Sequence, residues 1–158
     1  MNINIICAGK IKEKYFTEAI AEYSKRMSRF VKFNIIEIPD EKIPDNASSK
    51  EEDMIKEKEG RAMLSKIKDS DYVIAMCIEG KQLDSVEFSQ KLEKISMTAS
   101  SVVFVIGGSL GLSDEVKSRA QLRLSFGKIT LPHQLMRVVL CEQIYRAFKI
   151  SRNETYHK

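Results

Sequence analysis

Four short apolar runs, separated by stretches with helical periodicity, constrain this 158-residue chain more than any other feature. They are Asn2 to Ala8 (NINIICA), Lys32 to Pro39 (KFNIIEIP), Asp71 to Ile78 (DYVIAMCI) and Ser101 to Ile106 (SVVFVI). Each is rich in Val and Ile, bounded by Gly, Pro or Asp, and reads as a buried strand. Parallel neighbours need long crossovers, and the intervening segments are long enough to supply them as helices. The expected class is therefore α/β, one layered domain over residues 1–158 with a mainly parallel sheet.

The intervening segments carry helix signals. Residues 13–29 place Phe16, Ile20, Tyr23 and Met27 at helical spacing with charges opposite, so this helix covers a sheet. Ser48 and Ser49 precede Glu51 and Glu52 at capping-box spacing and open a helix that carries Met54, Ile55, Ala62, Met63 and Leu64 toward a core. Its charges read as a solvated face. Asp84 with Glu87 caps another helix through Phe88, Leu92 and Ile95.

Composition narrows the function classes. An apolar fraction of 43% with balanced charge excludes disorder, and 7 Gly with 3 Pro exclude a low-complexity chain. Cys7, Cys77 and Cys141 are far apart and flanked by apolar residues, so they read as buried free thiols rather than a disulfide framework or metal site. No stretch approaches the roughly 18 apolar residues of a membrane span, and the opening run is too short for a signal peptide. A soluble, cytoplasmic protein is expected. The net charge of +4 divides unevenly: residues 117–158 hold 9 basic and 2 acidic side chains, a basic end that reads either as a surface for nucleic-acid phosphates or as a set of solvated and interface-paired charges.

Two regions could carry chemistry. In FVIGGSLGLSDEV (104–116) a strand runs into Gly107, Gly108, Ser109 and Gly111, then into a helix capped by Ser113. Glycines at the carboxyl end of a parallel strand allow close backbone approach to a ligand. The loop lacks GxGxxG and GxxxxGK[ST] spacing, and Asp114 and Glu115 in the helix's first turn would repel a phosphate. The alternative for the loop is a tight turn. The second region, residues 122–150, has an irregular strand or loop at Phe126–Leu131 and then a helix from Pro132 that is apolar nearly all round, which points to a subunit interface and a homodimer. Within it Glu142 and Arg146 stand at ion-pair spacing, and Arg137 needs an anionic partner if buried. His133 reads more readily as a packing residue than as a catalyst, and no zinc spacing such as HExxH occurs.

Taken together, ICAGKIKEKYF, IEIPDEK, GGSLGL, LSFGKITLPHQLMRVVLCEQIYRAFKI and the closing YHK resemble, from end to end, the SPOUT-class methyltransferases that modify pseudouridine at ring nitrogen 3 in bacterial 23S ribosomal RNA. The resemblance implies a parallel-sheet SPOUT fold with a deep trefoil knot near the carboxyl end, a homodimer, S-adenosyl-L-methionine as methyl donor, and 23S ribosomal RNA within the assembled ribosome as partner. It implies no metal and no membrane. Carried onto this chain, it gives Met76, Gly107, Phe126, Gly127, Lys128, Ile129, Thr130 and Leu131 as cofactor-binding residues. Arg137, Tyr156 and His157 follow as catalytic candidates, with Arg146 positioning the substrate and His157 able to act across the dimer interface from the tail. The rival reading is a non-catalytic ribosome- or RNA-binding α/β module.

Overall fold

The structure is a computed structural model and describes residues 1–158. Its five strands are β1 (Asn2–Ala8), β2 (Lys32–Ile38), β3 (Tyr72–Gln82), β4 (Ser101–Ile106) and β5 (Leu122–Ser125). They form one sheet in the order β2-β1-β4-β3-β5, with every pairing parallel. The four anticipated strands are present. The fifth, β5, was not anticipated, and β3 runs four residues past Ile78, through a polar EGKQ extension that pairs with β5 across an irregularity between Met76 and Lys81.

Alternation along each strand sends side chains to both faces, and both faces are covered. On one, Ile3, Ile5, Cys7, Ile74 and Phe104 pack under α1 (Lys14–Met27), α3 (Ser85–Ser96) and α5 (His133–Ser151). On the other, Ile6, Val73, Ala75 and Val105 pack under α2 (Ser49–Leu64) and α4 (Asp114–Arg119). The helix starts follow the local signals. Ser48 accepts a hydrogen bond from the Glu51 N–H, Ser113 accepts one from Val116, and Asp84 with Glu87 closes both arms of a capping box. In α2 two expectations fail: Met54 is 59% exposed, while Glu59, assigned to the solvated face, is only 6% exposed.

Helix α5 lies between α1 and α3, so part of its all-round apolarity is used within the chain. Leu140, Cys141, Ile144 and Tyr145 are buried there, whereas Leu135, Val138 and Val139 are only partly buried, Val138 still packing against the core. No helix is long and apolar enough to cross a membrane.

Candidate active site

A cavity of about 850 Å3 opens at the carboxyl edge of the sheet, where ligands of parallel α/β proteins bind. Two loops enclose it: residues 107–112 after β4, and residues 126–132, which lead from β5 to α5. Met76, Gly107, Phe126, Gly127, Ile129, Thr130 and Leu131 all line it; Lys128 is exposed and does not. Further walls, which the sequence did not single out, come from Ile106, Leu112, Leu124 and Met136, and His133, expected as a packing residue, also lines it. Phe126–Leu131 is loop, with Gly127 at φ 121°.

Besides lining the cavity, the glycines after β4 are required by the turn itself. A Cβ on Gly107 would lie 2.6 Å from the backbone carbonyl of Gly111, because the loop folds back on itself with Gly111 N–H donating to Gly108 O at 3.0 Å. Gly111 sits at φ 84°, a left-handed conformation that glycine adopts without strain. The tight-turn reading of Gly107 thus holds, and the turn is also a wall of the cavity.

Beside the cavity lies a small acidic hollow that shares Gly108, Ser109, Leu110 and His133 with it and adds Asp40, Glu41 and Glu59. Burial raises the Glu59 carboxyl above the usual range, the neighbouring Asp40 and Glu41 charges add to this, and the hydrogen bond from Glu41 N–H, 3.1 Å long, partly opposes it. His133 is shifted the other way, toward the neutral imidazole: burial dominates, the Arg137 cation adds, and Asp40 counteracts. At the opposite side of the mouth Lys117 pairs with Glu79.

Arg137 is 0% exposed. Its Nη2 donates to the carbonyls of Ala8 and Gly9, both at 2.7 Å, and its Nη1 to Glu37 at 2.9 Å. The anionic partner that burial required is therefore Glu37, and the guanidinium ties the start of α5 to the ends of β1 and β2. So placed, it has no surface to offer a substrate, which corrects the expectation of a catalytic group.

Arg146, Tyr156 and His157 do come together, but elsewhere. Arg146 Nε donates to Glu142 Oε1 at 2.9 Å, Tyr156 OH donates to the same oxygen at 3.1 Å, and Arg146 Nη1 lies 3.2 Å from His157 Nδ1. The Arg146 guanidinium also stacks on the Tyr156 ring, 4.7 Å from its centroid. Burial, followed by the Glu142 charge, pushes the Tyr156 hydroxyl up to about 12. The tail is folded rather than loose: Asn153 turns at φ 54°, and Glu154 is held by Arg29 Nη2 at 2.6 Å and by Lys149.

Cavity and tail stand at opposite ends of α5. From Pro132 at the cavity rim to Arg146 is 14 residues, about 21 Å at 1.5 Å rise per residue.

Comparison with known proteins assigns the arrangement. The sequence model of the family described as "Predicted SPOUT methyltransferase" matches residues 1–157. The chain belongs to the SPOUT methyltransferase family. Relatives named "Ribosomal RNA large subunit methyltransferase H" from Clostridium botulinum (strain 657 / Type Ba4) and Clostridium perfringens (strain 13 / Type A) are each 60% identical over 159 aligned residues, covering 100% of both chains. One of the same name from Lactiplantibacillus plantarum is 57% identical with the same coverage. As a SPOUT methyltransferase the chain is an α/β enzyme that uses S-adenosyl-L-methionine. No cluster of three or more His, Cys, Asp or Glu side chains is arranged to hold a metal ion.

Proposed function

We propose that this SPOUT methyltransferase methylates ring nitrogen 3 of a pseudouridine in 23S ribosomal RNA, acting on the assembled ribosome in the cytoplasm as a homodimer whose single domain spans residues 1–158. The observation that carries the reading is the full-length identity to large-subunit ribosomal RNA methyltransferases, with the cavity falling on the very loops that the family's motifs mark.

The cavity suits the cofactor by size and chemistry. About 850 Å3 leaves ample room for a nucleoside-sized ligand, and Met76, Ile106, Leu124, Phe126 and Leu131 give an adenine apolar walls while loop N–H and C=O groups read its edge. Neither loop offers the phosphate cradle that a nucleotide needs. The passage of residues 126–132 against the 107–112 loop is where the family's trefoil crossing belongs. S-adenosyl-L-methionine, when bound, supplies a methyl group on a sulfonium; the protein's task is to align the acceptor nitrogen with it.

In one chain, the tail residues are about a helix length from that cavity. A two-fold pairing of α5 helices in antiparallel fashion, through the partly buried Leu135, Val138 and Val139, sets the tail of one protomer at the cavity of its partner. The tail is there to receive an anion. A guanidinium only donates hydrogen bonds, so the Arg146 contact makes His157 Nδ1 an acceptor and leaves the imidazole proton on Nε2. Tyr156 keeps its proton at neutral pH. Arg146 and the His157 Nε2–H then stabilise the negative charge that the pyrimidine ring acquires when it loses its imide proton to water. Arg137 anchors the helix that carries this group.

Titration calorimetry with S-adenosyl-L-methionine, paired with mass mapping of 23S ribosomal RNA from a strain lacking the gene, tests the proposal. The expected results are specific binding and the loss of one methyl group from a pseudouridine. An unchanged methylation map refutes the assigned substrate, and absence of binding refutes the assigned cavity.

A further inference from the structure

The end of α1 and the end of α5 bring an unusual set of side chains together at the edge of the molecule where the tail folds. Phe30 stacks on Phe148 with ring centroids 5.5 Å apart and planes 9° apart. Two guanidiniums lie against the same Phe30 ring, Arg29 at 4.6 Å and Arg152 at 4.9 Å from its centroid. Next to them Arg26 lies 5.7 Å from the Tyr145 centroid and 5.9 Å from that of Tyr23. Lys25 is exposed on the same turn of α1. Arg26 is paired with Glu22 and Arg29 with Glu154, whereas Lys25 and Arg152 have no carboxylate partner. Tyr145 packs edge-on against Tyr156 and Arg29 holds Glu154, but Lys25 and Arg152 line no part of the cavity and touch no member of the Arg146–Tyr156–His157 group.

Packing accounts for Phe30 and Phe148, and it leaves the arginines unexplained. Lysine would cover a ring as well, yet every cation laid on a ring here is Arg, whose planar guanidinium can rest on an aromatic and still present a flat outer face and a fork of N–H donors. Arg29 remains 59% exposed in that posture. Flat cationic faces with free N–H groups match the surfaces of unstacked nucleotides, where a base stacks on the guanidinium and a phosphate takes the fork. An acidic protein surface would be served equally well by flexible lysines. The charge balance agrees, since Lys25, Arg26, Arg29, Lys149 and Arg152 outnumber Glu22 and Glu154.

We propose that Lys25, Arg29 and Arg152, backed by Phe30, form a docking platform for RNA nucleotides adjacent to the one being modified. The proposal rests on the reading of RNA as substrate. The clamp of Glu154 between Arg29 and Lys149 joins the platform to the tail, so RNA held by the arginines is held in register with Tyr156 and His157.

The test uses the full-length enzyme and ribosomes purified from a strain lacking the modification, with transfer of a tritiated methyl group as readout. The double variant Lys25→Ala/Arg152→Ala breaks no ion pair. Its KM for ribosomes should rise by about tenfold or more, as expected for losing a stacked base and phosphate contacts, with kcat changed less than about twofold. The slope of log affinity against log salt should become shallower by roughly 1.4 to 1.8, corresponding to two phosphates. Calorimetric affinity for S-adenosyl-L-methionine should not move. Arg152→Lys, which keeps the charge and loses the plane, should fall between wild type and Arg152→Ala. A control with Lys50→Ala/Lys66→Ala, on the opposite face of the sheet, should leave KM near that of wild type. Unchanged KM in Lys25→Ala/Arg152→Ala, an equal loss in the control, or a raised KM with an unaltered salt slope, the mark of a protein contact, each overturns the platform. A wild-type enzyme that binds the cofactor and fails to methylate these ribosomes overturns the substrate reading instead.

Discussion

Replacing Arg137 with Ala should unfold this enzyme more readily before it touches the chemistry. The guanidinium makes two charge-assisted bonds to the buried carbonyls of Ala8 and Gly9 and one to Glu37. Such bonds contribute about 1.5 to 3 kcal/mol each. Glu37 is partly exposed and regains water when its partner is removed, so its share is small. The two carbonyls stay inside a core with no replacement donor, and the aliphatic stem leaves a void. Losing a buried partner of this kind costs about 3 to 5 kcal/mol. For a chain of this length that corresponds to a Tm lower by about 6 to 20 °C. Arg137→Lys should fall part-way, because one ammonium cannot span both carbonyls and Glu37. Thermal and urea unfolding followed by circular dichroism, with S-adenosyl-L-methionine calorimetry below the Tm, gives the answer. If Arg137→Ala melts within about 2 °C of wild type yet transfers no methyl groups, the anchoring argument is wrong and the guanidinium reaches the substrate.

Two other outcomes follow from the geometry. In the proposed homodimer, Gly107→Val, which drives a side chain into the Gly111 backbone, and deletion of Glu154–Lys158 should each abolish activity. Refolding the two together should nevertheless restore roughly a quarter of the sites, since half of the randomly formed dimers pair one intact cavity with one intact tail; no recovery would rule out the shared site. Stability should also fall in alkali. Burial pushes Cys7 up to about 11 and Cys141 up to about 12, so above pH 9 the folded chain keeps protons that the unfolded chain releases. Unfolding free energy from urea titrations should therefore be full below about pH 8.5 and decline from pH 9 toward 12, less steeply in Cys141→Ala; a rise over that range would contradict the assignment.

The parts of this molecule legible in its sequence are those decided within a few residues. Asp84 and Glu87 declare a helix start by themselves, and NINIICA can only be a buried strand. Strand β5 escaped notice because LRLS, though it alternates, is only four residues long; it is held by pairing with Ile74–Met76 and, past the irregularity, with Lys81 and Gln82 of a polar extension that has no strand pattern of its own. Glu59 looked like one more charge on a polar helix, and only the approach of the 107–112 loop takes it out of water. The site divides the same way. Met76, Gly107 and the 126–131 loop were marked by motif, and all but Lys128 line one cavity. Arg137 was legible as a residue in need of an anion, but the identity of that anion, 100 residues away, was not. Nothing local announced that Arg29 would hold Glu154 across a separation of 125 residues.

Those two long-range ties bear on how the protein is made. The first strand emerges early, yet its end is fastened by Arg137, and α1 is covered by a helix that ends seven residues before the carboxyl terminus. Vectorial synthesis therefore delivers a sheet with α1 and α3 on this face but no α5 between them, so part of the core that Leu140, Cys141 and Ile144 complete stays open in the interval. A nascent chain stalled just before residue 133 is not a smaller version of the enzyme but a sheet with a gap between α1 and α3, and quality control has an apolar mark by which to recognise it.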